Sequence, residues 1–341
     1  MKRSTILTAF VLAACFVGCS SDETVITPNA PTAESSVQNA VADPSTETAP
    51  PPASETEGIQ LRYRFEEGQR MDYIMSLEID NHIVNLNQKT KMNMNFYFHV
   101  TVDVVEVDGS AVITQINDRF KFKVKGPGGT ILYDSADGEE SDHPQWQGLR
   151  QVFLPMQYAQ CTYRVTTSGI VSDVQPTAEL AERLEKDPSM AAVITQNQLE
   201  RNAFALFHPM PERAVESGAT WNYPRNLEIA NFKFEFNFTK TFKGTADHEG
   251  RQVVDITETV VTKKTGEVSP AFDYDFDDEL TSGQEYFDPN LGWLVSMNDV
   301  AVNSMKQNTM GIAVETISST KSSIQLQSSV GVQPEPESSS E

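Results

Sequence analysis

The chain is short of cysteine, of positive charge and of long apolar runs. It has 3 cysteines in 341 residues. Two of them, Cys15 and Cys19, sit near the N-terminus, so Cys161 has no partner for an intramolecular disulfide in the rest of the chain. Lys and Arg number 26 against 48 Asp and Glu, a formal net charge of −22. That excess argues against nucleic acid as a partner, and it predicts a body that repels an anionic membrane surface. One apolar run stands out, Ile6 to Gly18, and no other stretch approaches the roughly 20 apolar residues of a membrane span. The five histidines (His82, His99, His143, His208, His248) are scattered. There is no Gly-x-Ser-x-Gly elbow, no His-Glu-x-x-His and no phosphate-cradling Gly-rich loop. No catalytic residue, cofactor or metal ligand is assigned, and the expectation is a protein that is not an enzyme.

The first residues, MKRSTILTAFVLAACFVGCSSDE, place two positive charges before the apolar run and a polar break after it. That is the pattern of a secretory signal peptide. Small residues followed by cysteine resemble the lipobox of bacterial lipoproteins, a family in which the cysteine is acylated and begins the mature chain. Leu12-Ala13-Ala14 before Cys15 fits the consensus by letter. Cys19 stands where the apolar run stops, so it is favoured as the lipidation site, with Cys15 the alternative. A multiply acylated terminus holds firmly, at about 0.8 kcal/mol per buried methylene. The expected location is extracytoplasmic, lipid-anchored to a bacterial membrane on its periplasmic or cell-surface face.

The expected organisation is a leader over 1–18 and an acidic Ser/Thr/Pro tether over 19–58. A β-rich body follows over 59–325, then a disordered tail over 326–341. Within the body, EEGQRMDYIMSLEIDN at Glu66–Asn81 is echoed by ESGATWNYPRNLEIAN at Glu216–Asn231, with 7 of 16 positions identical. Each stretch leads into an alternating strand, a Gly-containing turn at Gly109 or Gly250 and a returning strand. Tyr163 to Gly169 and Tyr286 to Gly292 repeat a second hairpin at the same spacing. These matches predict an internal duplication, with copies over 59–175 and 207–325 and a helical connector over 176–206. In the connector, Thr177–Lys186 has helical composition, and Asp187-Pro188 caps a second helix running to about Leu206. The fold class expected is mainly β (α+β), two related halves of curved antiparallel sheet of which a half-barrel is one form.

Period-two alternation puts Phe232, Phe234, Phe236, Phe238 and Phe242 on one side of a strand, with Lys240 interrupting the ladder. The matching strand aligns Met92, Met94, Phe96, Phe98, Val100 and Val102. Such faces are ordinary core, or they line a cavity for an acyl chain; Phe96, Phe98, Phe232, Phe234, Phe236 and Phe238 are the candidate ligand face. Asp273, Asp275 and Asp277 begin a calcium-loop spacing, but Asp278 stands where glycine is required and Gln284 where Glu is required. A strand with a solvated face explains them better. His99 alternates with apolar residues and is expected in solvent; Cys161, Trp221 and Trp293 are expected in the core.

The unit Phe207-His-Pro-Met-Pro, followed after six residues by Gly218-Ala-Thr-Trp221-x-Tyr223, resembles an exported family of planctomycete-type bacteria known as a domain of unknown function. The resemblance extends over most of 59–325, with Met71 in the first copy where the family pattern has Trp. It implies no activity, ligand or catalytic residue. The function expected is a non-catalytic binding or structural module of the cell envelope that contacts a protein, polymer or lipid. The alternative is a carrier or sensor of a hydrophobic ligand.

Overall fold

The computed structural model describes residues 58–137, 155–229, 232–264, 275–276, 279–309 and 312–330. Cys15, Cys19 and most of the tether and tail lie outside the described residues, as do Asp273 and Asp277. Thirteen antiparallel strands form one curved sheet that does not close. The first meander comprises β1 (Arg70–Ile83), β2 (Gln88–Val105), β3 (Ala111–Gly126), β5 (Gln160–Val165) and β6 (Val171–Pro176), with β4 (Gly129–Asp134) hung on β3. The second comprises β7 (Thr220–Ile229), β8 (Phe232–His248), β9 (Arg251–Lys264), β11 (Glu279–Asp288) and β12 (Trp293–Thr309), with β10 (Asp275–Phe276) paired to β12. The last strand, β13 (Ile312–Val330), lies between β1 and β12 and runs past the expected body boundary at 325. β6 and β7 are the two ends of the sheet.

The turns at Gly68 and Gly218 show how alike the meanders are. Both glycines have positive φ, 79° and 91°. Gly68 N–H donates to Val102 O at 2.8 Å, and Gly218 N–H to Phe242 O at 2.7 Å. Val102 and Phe242 donate back to Gln69 O and Ala219 O, both at 2.9 Å. This register pairs Val102 with Phe242, and therefore Val100 with Lys240, as corresponding positions.

Three helices join the meanders: α1 (Ala178–Lys186), α2 (Pro188–Ala191) and α3 (Gln196–Phe204). The single second helix expected from Asp187 to Leu206 is broken in two. Val193, Ile194 and Thr195 are β-branched and poor in a helix, and the Thr195 hydroxyl instead caps α3, accepting from Gln198 N–H at 3.3 Å.

One end of the sheet, here called proximal, carries the turns at Gly109, Gly169, Gly250 and Gly292. The segment 59–65 threads between two of them. Tyr63 N–H donates to Thr167 O at 2.8 Å and Arg64 N–H to Gly292 O at 3.3 Å, while Trp293 Nε1 donates to Arg64 O at 3.0 Å. The connector exit joins this plug: His208 N–H donates to the Tyr63 hydroxyl at 2.9 Å, and the Phe207 ring lies 5.1 Å from that of Tyr63. Tyr63, Phe207 and Trp293 are buried here, each fully covered aromatic contributing up to about 3 kcal/mol. The opposite, distal end carries the β1–β2 and β3–β4 tips.

Candidate functional site

The aromatic faces do not form one open groove. Phe98 and Phe238 are buried in the main core, where each stacks on a tyrosine from the neighbouring strand. Phe98 lies 5.7 Å from Tyr73, and Phe238 lies 4.7 Å from Tyr223. Phe234 is buried and Phe236 half-buried. Phe96 belongs to a second apolar cluster nearer the distal end, with Met92, Met94, Phe120, Phe122 and Tyr133. The Phe232 side chain lies outside the described residues. Trp293 and Cys161 are buried and Trp221 is partly so, as expected of core residues; burial pushes the Cys161 thiol up to about 12.

A cavity of about 50 Å³ lies between the first meander and α3. Met75, Leu77, Phe96 and Phe98 form its floor, and Gln198 and Arg201 line it from α3. As it stands it is far below the roughly 300 Å³ of a typical ligand pocket.

The second meander buries charge instead. The Lys240 ammonium bonds to Glu285 and lies 3.1 Å from Glu258 Oε2 and 2.6 Å from His208 Nδ1. His208 Nδ1 is also 2.6 Å from Glu285 Oε1. Lys240 is 0% exposed, and all four groups are buried. Burial alone raises the Glu285 carboxyl; the Lys240 and His208 contacts outweigh it and hold that carboxyl well below the usual range. Burial alone lowers Lys240, but Glu258 and Glu285 together raise it. Asp299, further along the same face, is held well above the carboxylate range by burial and by Glu258 and Glu285. Its Oδ1 lies over Gly283 on the paired strand, where a Cβ would fall 2.0 Å away.

The ligating atoms of His208, Glu258 and Glu285 lie within 4.8 Å of one another, close enough to share a metal ion, but the Lys240 ammonium is the cation there. The corresponding positions of the first meander, by register, are Val100, Gln115 and Tyr163, so Tyr163 answers to Glu285 and not, as the sequence spacing predicts, to Tyr286; an irregularity at Tyr286/Phe287 in β11 offsets the spacing by one residue. There a single neutral bond replaces the cluster, Tyr163 hydroxyl to Gln115 Oε1 at 3.0 Å. The sequence hint was Lys240, an inward-facing cation in a ladder of phenylalanines.

His99 is not in solvent. It is 8% exposed, and its Nδ1 lies 2.8 Å from Asp118 Oδ2. The register between β2 and β3 shifts at Tyr97/Phe98, leaving Asp118 as the extra residue that swings against the ring. Asp72, directly across from His99, completes a second trio within metal-sharing distance.

No family model and no curated protein matches the chain. Among solved structures, lipovitellin, described for its lipid–protein interactions, is similar at 7% identity and a TM-score of 0.45, over 81% of this chain. The chain spans only 27% of the lipovitellin chain. A protein of Parabacteroides distasonis inferred to be a lipoprotein matches at 10% identity over 79% of this chain and 97% of its own, TM-score 0.30. An inferred exported protein of Bacteroides fragilis with a YmcC-like fold matches at 11% identity over 79% of this chain and 99% of its own, TM-score 0.27.

Proposed function

We propose that the protein is an extracytoplasmic, lipid-anchored, non-catalytic binding module built from two copies of one β-meander unit. Its ligand is an apolar chain seated beneath α3. The cavity floored by Met75, Leu77, Phe96 and Phe98 carries this reading. Its apolar floor is met by polar groups from β3 (Gln115, Asn117) and from α3 (Gln198, Arg201, Asn202), the general form of a small-ligand site. The leader and the cysteine at its end support the anchor. The matched Gly68 and Gly218 turns and the paired Tyr73–Phe98 and Tyr223–Phe238 stacks support the duplication.

A second reading, a structural module with no small ligand, is favoured by how much of the Phe/Met face is packed. Native mass spectrometry of the chain from Ser20, which keeps every described residue, separates the two. Incubation with fatty acids or phospholipids should add one ligand mass per chain. A mass that stays that of the bare chain with every lipid tried would sink the ligand reading and leave the structural one.

A further inference from the structure

The chain carries nearly two acids for every base, yet on the distal outer face of the first meander cations outnumber acids, most clearly towards its tip. On β3, Phe120, Phe122 and Val124 point into the apolar cluster, so Arg119, Lys121, Lys123 and Lys125 point outward. On β2, Lys91 lies directly across from Lys125, and Lys89 precedes it towards the tip. Among the described residues, five carboxylates lie on or beside this surface; Asp118 pairs with His99, and Asp137 lies near Arg119. Glu78 and Asp80 pair with Lys91, and Asp134 pairs with Arg119 and Lys121. Lys89, Lys123 and Lys125 are exposed, and no carboxylate among the described residues pairs with them. At the end of this face the β1–β2 tip displays Val84 and Leu86, the latter 53% exposed. Gly126, ending β3, packs against Thr90 beside that tip, so the two distal tips lie together.

We propose that this distal rim docks the protein on an anionic lipid surface. The outer lysines of β2 and β3 meet headgroup phosphates, and Val84 and Leu86 enter the interface. Lysines beside exposed apolar tip residues are the composition of an interfacial contact. A soluble polyanion would use the lysines and leave the apolar tip without a role. The net charge of −22 predicts repulsion from such a surface, but charges beyond a Debye length, about 10 Å at moderate salt, are largely screened there. The local face decides.

The proposal deepens the ligand reading and rests on it for purpose: the inner side of these same strands carries the apolar cluster adjoining the cavity. A chain leaving the lipid surface at this rim would meet that cluster first.

The test is co-sedimentation of the chain from Ser20 with phosphatidylcholine vesicles, with and without phosphatidylglycerol. Binding is expected only with the anionic lipid, and it should weaken as salt rises. Lys123→Gln with Lys125→Gln should lower it about thirtyfold, the effect of two lysines at an anionic surface. Leu86→Ser should lower it by a further several-fold, with melting temperatures unchanged in each variant. No sedimentation with anionic vesicles, or sedimentation indifferent to the two lysines, would overturn the proposal. So would binding to heparin or an oligonucleotide without binding to vesicles. Native mass spectrometry separates the two ideas: docking without ligand uptake defeats only the cavity reading, and uptake without docking defeats only this one.

Discussion

The ammonium of Lys240 lies 3.1 Å from the Glu258 carboxylate directly across the strand pair, and both groups are buried. Because Glu285 and His208 close the other sides, removing the lysine strands two acids in the core. Lys240→Met is expected to lose about 3–5 kcal/mol of unfolding free energy. The triple change K240M/E258Q/E285Q should recover most of that loss, since the first meander folds with Val100, Gln115 and Tyr163 at these places. Urea unfolding of the parent and the two variants checks both statements, and a triple variant no better than K240M would contradict the second.

Asp299 and Glu285 shift stability with pH in opposite directions. The folded state keeps a proton on Asp299 that the unfolded chain releases above the ordinary value of 3.8. Its contribution is therefore present below that value and lost as pH rises through the raised folded value. Asp299→Asn resembles the protonated acid, so its melting-temperature advantage over the parent should grow from about pH 4 upward. A difference that stays constant with pH would contradict this. Glu285 acts the other way. Its contribution is present above the ordinary value of 4.5 and is lost as pH falls towards the lowered folded value, so Glu285→Gln should flatten the acid limb of the same curve.

Gly292 and Gly218 both have left-handed backbone, but only Gly292 is crowded. A Cβ at Gly292 would fall 2.5 Å from the Arg64 backbone nitrogen, whereas nothing lies within 4 Å of one at Gly218. Gly218→Ala should cost about 1–2 kcal/mol for the conformation alone. Gly292→Ala should cost at least about 2 kcal/mol more, by displacing the segment 59–65. Thermal unfolding measures the difference, and limited proteolysis should show early cleavage of that segment in Gly292→Ala only.

Ala205, at the end of α3, borders the cavity. Ala205→Leu places extra carbon atoms in the space that an acyl chain would take. Ligand occupancy by native mass spectrometry should fall at least about tenfold, the effect of roughly 1.4 kcal/mol, while the melting temperature stays level or rises. Unchanged occupancy would place any ligand elsewhere.

Much of the fold was legible because its signals are local. Alternation marked the inward faces of β2 and β8, and Gly109, Gly169, Gly250 and Gly292 marked turns that adopt positive φ. Thr177 and Asp187 marked helix starts, and both cap helices here. The break before α3 was missed, since the expectation weighed the apolar spacing above the β-branched run Val193–Thr195. His99 was misplaced because strand alternation knows nothing of a bulge in the neighbouring strand. The cavity was partly legible: Phe96 and Phe98 line it, but Arg201 and Gln198 reach it from a helix whose docking the sequence does not state.

By itself the sequence determined what depends on neighbouring residues along the chain: a mainly antiparallel β fold, its principal turns, its helical connector and which residues face inward. The tertiary structure alone decided which inward residues meet. His208 and Glu285 are 77 positions apart, and they touch because the connector exit folds back under the second meander. The six outer cations on β2 and β3 become one face only once those strands pair, because a net charge sums over the chain and a surface potential sums over space.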